Sequence, residues 1–192
     1  MSQPSQAIYG DTLFIHGNGL AHKAIRYWTN SIVDHTANCE GPDLAWDSRP
    51  LKGVTSHGLD VFCENPWILL RPKTPITLSM QTRGTAFLEA QKGKKYDWFA
   101  IAGFPLGKLN LNDVNRWICS ELTRTWYETM GIVIIERTPM GLTSPQALFG
   151  SKEFTVVEHN LNDPALLEFI KASNLQSLRL AVKQCFALVP TH

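Results

Sequence analysis

Short apolar and β-branched runs broken by Gly, Pro or Asp mark the first third of the chain, and helical spacing takes over later. "TLFIH", residues 12–16, sits between Gly10-Asp11 and Gly17-Asn18-Gly19 and predicts a strand bounded by turns. "LAHKAIRYWTN" places Leu20, Ala24, Tyr27 and Trp28 on one face and predicts a helix. After "SIVDHTANC" come "DLAWDS", "GVTSHGL" and "WILLRP", a meander of strands. Residues 75–93, "PITLSMQTRGTAFLEAQKG", predict a second helix that starts near Pro75, stops at Gly93 and is weakened by Gly84. "YDWFAIAGF" is apolar enough to be buried.

The clearest periodicity is in "RWICSELTRTWYETMG", residues 116–131. Counting from Cys119, residues Leu122, Thr123, Trp126, Tyr127 and Met130 fall on one helical stripe, and Gly131 supplies the stop. A strand follows at Phe154 to Val157, then two short helices in "DPALLEFIKASNLQSLRLAVKQCFALV". With no repeat, low-complexity tract or linker, this order predicts an α+β domain with a mainly antiparallel sheet.

At 192 residues and 44% hydrophobic, the chain fills one sizeable core and has no room for a second full domain. A net charge of +1 supplies no field to attract nucleic acid or an anionic membrane. Cys39, Cys63, Cys119 and Cys185 are too scattered for a zinc knuckle and too few for a disulfide scaffold, so free thiols are expected, with no metal or organic cofactor. The start "MSQPSQAIYGDT" lacks the order of a secretory signal, and no run is long and apolar enough for a transmembrane segment. Synthesis in the cytoplasm is expected, with any action outside it depending on another means of delivery.

A thiol in a first helical turn faces unpaired backbone N–H groups and the positive end of the helix dipole, which favour thiolate and can hold an oxyanion. Cys119 has that position, although most free cysteines are small buried hydrophobes. A thiolate nucleophile also needs an imidazole and a group to orient it. Of the six histidines, His16 and His22 flank the Gly-rich turn, His57 lies on a strand or its end, His159 in a loop, and His192 at the terminus. His35 opens a run of small and β-branched residues from which a side chain can be aimed across a cleft, though a structural histidine fits there too. Asp47 lies on the next predicted strand, within cross-strand reach of His35; Asp43 is its rival, and a turn before Pro50 is an alternative role.

In order, "GDTLFIHGNG", "SIVDHTANC", "AWDSRPLKGV", "KKYDWFAI" and "WICSELTRTWYETMG" resemble the motifs of the permuted papain-like amidases and peptidases of the NlpC superfamily, over residues 9 to 150. The resemblance implies a circularly permuted papain-like (NlpC-type) fold, a small antiparallel sheet packed against the helix that carries the cysteine. A catalytic domain is expected over 1–157; residues 158–192 lie beyond the resemblance, and with Leu166, Leu167, Phe169, Ile170 and Phe186 among them they are apolar enough to pack as a helical extension on the domain or on a partner. Carried over by residue, Cys119 is the nucleophile, His35 the base and Asp47 the polar third member. Tyr96, Ser120 and Glu121 are placed around the substrate, Glu121 also at the helix start. The sequence departs from the family pattern at Asp34, where Ser is usual, and at "TAN" after His35.

That resemblance implies hydrolysis of peptide or amide bonds in cell-wall peptidoglycan, by way of a thioacyl intermediate. It fits a bacterial or phage-related protein delivered to another compartment or cell and restrained by a cognate inhibitor protein. Two alternatives stand beside it: acyl transfer or lipid-ester cleavage, as in relatives of lecithin retinol acyltransferase, and an inert binding scaffold.

Overall fold

A computed structural model describes residues 3–29, 31–98, 115–136 and 143–161. The predicted helical extension, residues 162–192, lies outside the described residues, as do Cys185 and His192.

Six antiparallel strands make the main sheet: β1 (Thr12–Ile15), β2 (His35–Cys39), β3 (Leu44–Arg49), β4 (Gly53–Gly58), β5 (Trp67–Pro72) and β8 (Phe154–His159), in the spatial order β4-β3-β2-β1-β5-β8. The meander expected from the short apolar runs is present as β2, β3 and β4. β5 then returns to the other side of β1, registering Thr12 with Leu70. Two further strands, β6 (Lys95–Tyr96) and β7 (Arg116–Trp117), form a small parallel pair. The helices are α1 (Leu20–Thr29), α2 (Leu78–Gln91), α3 (Cys119–Met130) and the short α4 (Pro145–Phe149).

β1 is buried at all four residues because both faces of the sheet are covered. Phe14 points into the larger cluster with Trp126, Tyr127 and Phe149, whereas Leu13 and Ile15 point into a second cluster with Leu59, Phe62 and Trp67. The stripe on α3 packs as its spacing predicts: Leu122, Thr123, Trp126, Tyr127 and Met130 are buried, and Gly131 closes the helix at φ 83°. Burying Leu122, Trp126, Tyr127 and Met130 contributes roughly 1.5–3 kcal/mol per side chain before entropy is counted.

Several expectations shift. α2 begins after the Thr77 cap, not at Pro75. In α1, Tyr27 is 84% exposed whereas Ile25 is buried, so Tyr27 does not belong to the packing face; the side chains of Leu20, Ala24 and Trp28 lie outside those described. Trp98 of the "YD" segment is half exposed although Tyr96 and Asp97 are buried. β8 runs on to His159, which puts that histidine on a strand and carries the strand past the boundary expected at residue 157.

Gly84 marks a close approach of α2 to α3. A Cβ there would lie 2.5 Å from Tyr9 Oη, 2.8 Å from Trp126 Nε1 and 3.0 Å from Met130 Sδ. Alanine would add about 1 kcal/mol of helix propensity, but overpacking a filled contact costs about 1–3 kcal/mol, and Trp126 is fully buried and has nowhere to go. Gly84→Ala is therefore expected to lower stability by about 1–2 kcal/mol in denaturant unfolding; an unchanged or raised midpoint would refute the close approach.

Candidate active site

Cys119 is the first residue of α3, after the extended Ile118. Its Sγ sits 3.9 Å from the carbonyl oxygen of Asp34, the residue before β2, so the helix mouth meets the strand that begins with His35. Two buried hydroxyl pairs hold this placement: Thr36 Oγ1 with Thr123 Oγ1 at 2.9 Å, and Thr12 Oγ1 with Tyr127 Oη at 2.8 Å. The directions follow from single hydrogens. Thr123 donates to Cys119 O and Tyr127 to Gly10 O, so Thr36 and Thr12 are the donors within the pairs.

His35 Nε2 lies 2.8 Å from Asp47 Oδ2. The β2–β3 register pairs Asn38 with Trp46 and Cys39 with Ala45; continued, it puts Ala37 opposite Asp47, so the imidazole reaches its acid diagonally. The Cys119 sulfur acts on the same ring, whose Nδ1 is the nitrogen that Asp47 leaves unengaged. Burial alone would pull the His35 imidazole down. Negative charge on the Cys119 sulfur, then the hydrogen bonds from Asp47 and Cys119 and the Asp47 charge, outweigh it and raise the ring to about 10. The arrangement can therefore hold a thiolate beside an imidazolium, and pass a proton between them.

Asp47 is buried, with His35, Arg49 and His57 around its carboxylate. Arg49 Nε donates to the same Oδ2 that meets His35, and His57 Nε2 stands 3.3 Å from Oδ1. The His57 contact is a close approach rather than a directed hydrogen bond: Oδ1 lacks a well-aligned donor among the described residues, and Thr55 Oγ1 shares His57 Nε2 at 3.0 Å. Burial would raise the Asp47 carboxyl, but the hydrogen bond from His35, the approach of His57 and the charges of His35 and Arg49 hold it well below the usual carboxylate range. Asp43, its rival, is exposed in the turn before β3.

Asp34 points away from His35. Its carboxylate binds Gly17 N, Arg26 Nη1 and His22 Nδ1, which ties α1 and the Gly-rich turn to the start of β2. Burial opposes the charge, yet these partners, led by His22, leave its carboxyl lowered.

A cleft of about 330 Å³ opens beside His35, with Ile15, Ile25, Val61 and Phe62 as apolar wall and His22, Arg49 and Lys52 among its polar groups. Tyr96 lines it; its hydroxyl is pushed well above its ordinary value by burial and then by the charge of Cys119. Cys119 itself is 3% exposed and is not among the residues that line the cleft. Ser120 and Glu121, expected around the substrate, do not line the cleft. Ser120 is buried with its hydroxyl on Thr143 O, and Glu121 is buried with its carboxyl raised to about 7 by desolvation. Arg49, His57 and Phe62 are the neighbours that sequence reasoning missed. The spacing of Asp47 and Arg49, two apart on one strand, was the available signal for the first of them.

No family model matches the chain, and no curated protein matches its sequence. Its fold is similar to that of the metalloprotein YiiX from Escherichia coli O157:H7, a DUF1105 protein, with a TM-score of 0.64 and 18% identity over 81% of this chain and 98% of that one. This corrects the NlpC assignment drawn from the five motifs: the likeness points to a different family, and at this identity it extends to the fold alone. Short motifs record local geometry, a cysteine at a helix mouth or a histidine at a strand start, which different families can share. Although YiiX is described as a metalloprotein, no group of three or more His, Cys, Asp or Glu side chains is placed to hold a metal among the described residues here. Cys39, Cys63 and Cys119 are free thiols. No described helix is long and apolar enough to cross a membrane.

The charge pairs make two outcomes measurable. The His35 ring should stay protonated to about pH 10 by NMR, and Cys119→Ala should bring its titration down by removing the largest raising influence; an unchanged titration would show that the sulfur does not act on it. A lowered Asp47 carboxyl adds stability above the unfolded value of about 3.9, and that stability is lost as pH falls toward the folded value. Wild type should therefore exceed Asp47→Asn in stability at pH 6, with the gap closing below about pH 4.

Proposed function

We propose that the protein is a cysteine hydrolase that acts on an amide or ester carbonyl. The observation that carries this reading is the 2.8 Å contact of His35 Nε2 with buried Asp47, on a ring that the Cys119 sulfur at a helix mouth also acts on. A cysteine helix packed on the sheet that bears the histidine is also the working arrangement of papain-like enzymes, here with histidine preceding cysteine in the chain.

In the proposed reaction the Cys119 thiolate adds to the carbonyl carbon, and the Cys119 N–H at the start of α3 stabilises the oxyanion. His35 then protonates the leaving amine or alkoxide as the C–N or C–O bond breaks, giving a thioacyl enzyme. Water, deprotonated by His35, attacks that thioester and releases the acid and the thiol. Asp47 keeps the ring oriented and its charge balanced, while Arg49 and His57 hold Asp47 in turn.

The cations around the cleft would suit the carboxylates of cell-wall peptide amides as substrates. The cleft's mainly apolar wall favours the second reading, an apolar acyl group carried as an ester or amide.

Alkylation with a small neutral reagent tests the nucleophile. Near pH 7, Cys119 should react at least about tenfold faster than Cys63 and lose that advantage in His35→Ala, with the modified residue identified by mass. With the thiol 3% exposed, the same rate reports whether the cleft opens on to the sulfur. A Cys119 no faster than Cys39 or Cys63, and indifferent to His35, would sink the hydrolase reading and leave a binding scaffold.

A further inference from the structure

His22 takes part in no step of the proposed reaction, yet it lines the same cleft as His35. Like His35, it is an imidazole held by a buried carboxylate. Its Nδ1 meets Asp34 Oδ2, and the Asp34 side chain has no exposure, whereas that of His22 is 42% exposed.

The surroundings fix the ring closely. Asp34 N donates to Ile15 O at 3.0 Å, and its Oδ1 accepts from Gly17 N and Arg26 Nη1, both at 2.8 Å, which leaves Oδ2 to the imidazole. The ring lies on the bare backbone of the Gly-rich turn between β1 and α1: a Cβ on Gly17 would stand 2.4 Å from His22 Nδ1 and 2.6 Å from its Cγ. A side chain at position 17 would therefore push the ring off its acid.

The pairing also decides which nitrogen carries the proton. The Asp34 carboxyl is lowered and hence ionised, and a carboxylate only accepts, so Nδ1 is the N–H and Nε2 of the neutral ring is a bare acceptor. His35 is held the other way round, with Nε2 on its acid. Elsewhere in the lining, acceptors are scarce: the Asp34 carboxylate is taken up as described, Asn65 Oδ1 accepts from Asn18 N at 3.2 Å, and Arg49 and Lys52 only donate. His22 thus brings an acceptor to a cleft furnished mainly with donors.

We infer that His22 is a specificity-determining residue: its Nε2 accepts a hydrogen bond from an N–H or O–H that the substrate carries beside the scissile carbonyl, and a compound without that donor binds less well. The place of the carbonyl, at His35, rests on the hydrolase reading. The recognition itself rests on the geometry of His22, Asp34 and Gly17. Because the ring is partly exposed, water can replace a missing donor, so the discrimination is about five- to tenfold rather than absolute.

NMR titration of the Cys119→Ala protein at about pH 8, above the ordinary imidazole range, tests this without any turnover. Four compounds of similar length serve as probes: N-butylbutanamide with an N–H, butyl 3-hydroxybutanoate with an O–H, and N-butyl-N-methylbutanamide and butyl butanoate with neither. At least one of the first two is expected to bind about fivefold tighter than the last two and to shift the His22 Nε2 resonance; whichever does so names the source of the donor. His22→Asn keeps an N–H for Asp34 where Nδ1 was and removes the outward acceptor, so it should erase the preference. Gly17→Ala, which displaces the ring while leaving it in the chain, should erase it too. Equal or absent binding of the four compounds, a preference that survives in His22→Asn, or an Nε2 resonance that stays put on binding would overturn the role of His22; the resonance decides even if a variant fails to fold. A preference that depends on His22, together with an unreactive Cys119 in the wild type, would remove the hydrolase reading and leave the recognition. A reactive Cys119 with no such preference would do the reverse, so the two failures are distinguishable.

Discussion

The seating of α3 on the sheet is the constraint from which the candidate site follows. An apolar stripe could slide along a pleated surface at modest cost, because dispersion has no direction. Hydroxyl pairs do have direction, and a buried hydroxyl left without its partner costs about 1–3 kcal/mol. Thr36 with Thr123 lies one residue from His35 and one helical turn from Cys119, so satisfying that pair fixes the imidazole against the thiol. Thr12 with Tyr127, one further turn along the helix, prevents rotation about the first. Since Thr123 also donates to Cys119 O, the first turn of the helix is tied to the strand through a continuous run of oriented donors.

Asp47 shows how an anion can be kept dry. Full burial of a lone carboxylate would be costly enough to neutralise it. Here one side chain from β2, one from its own strand and one from β4 converge on it, so the charge persists and the His35 ring keeps its orientation. Removing any one partner would leave the others holding an underpaired charge, which is why such clusters depend on all their members.

The α3 stripe was legible because five core positions and a terminal glycine repeat at helical intervals. The meeting of His35 and Asp47 was legible because two short strands in succession form a hairpin, although the reach is diagonal. Asp34 was not legible, since its partners His22 and Arg26 stand on a helix whose docking no local pattern encodes. Ser120 and Glu121 were misplaced for a similar reason: a helix start has several faces, and only the packed structure tells which one looks on to the cleft. The Lys95 and Arg116 pairing joins residues 21 apart, and two-residue strands leave no periodicity to read.

The separations within the site imply an order of assembly. His35 and Asp47 are 12 residues apart on neighbouring strands, whereas the sulfur closes on Asp34 across 85. Hairpin contacts form in about 1–10 μs, while long loops close against a larger entropy, so the acid and the imidazole come together first and the helix docks on them afterwards. A chain still emerging or half folded thus carries the His35 and Asp47 pair without the sulfur in place, and the candidate site is completed only with the last large piece of the core.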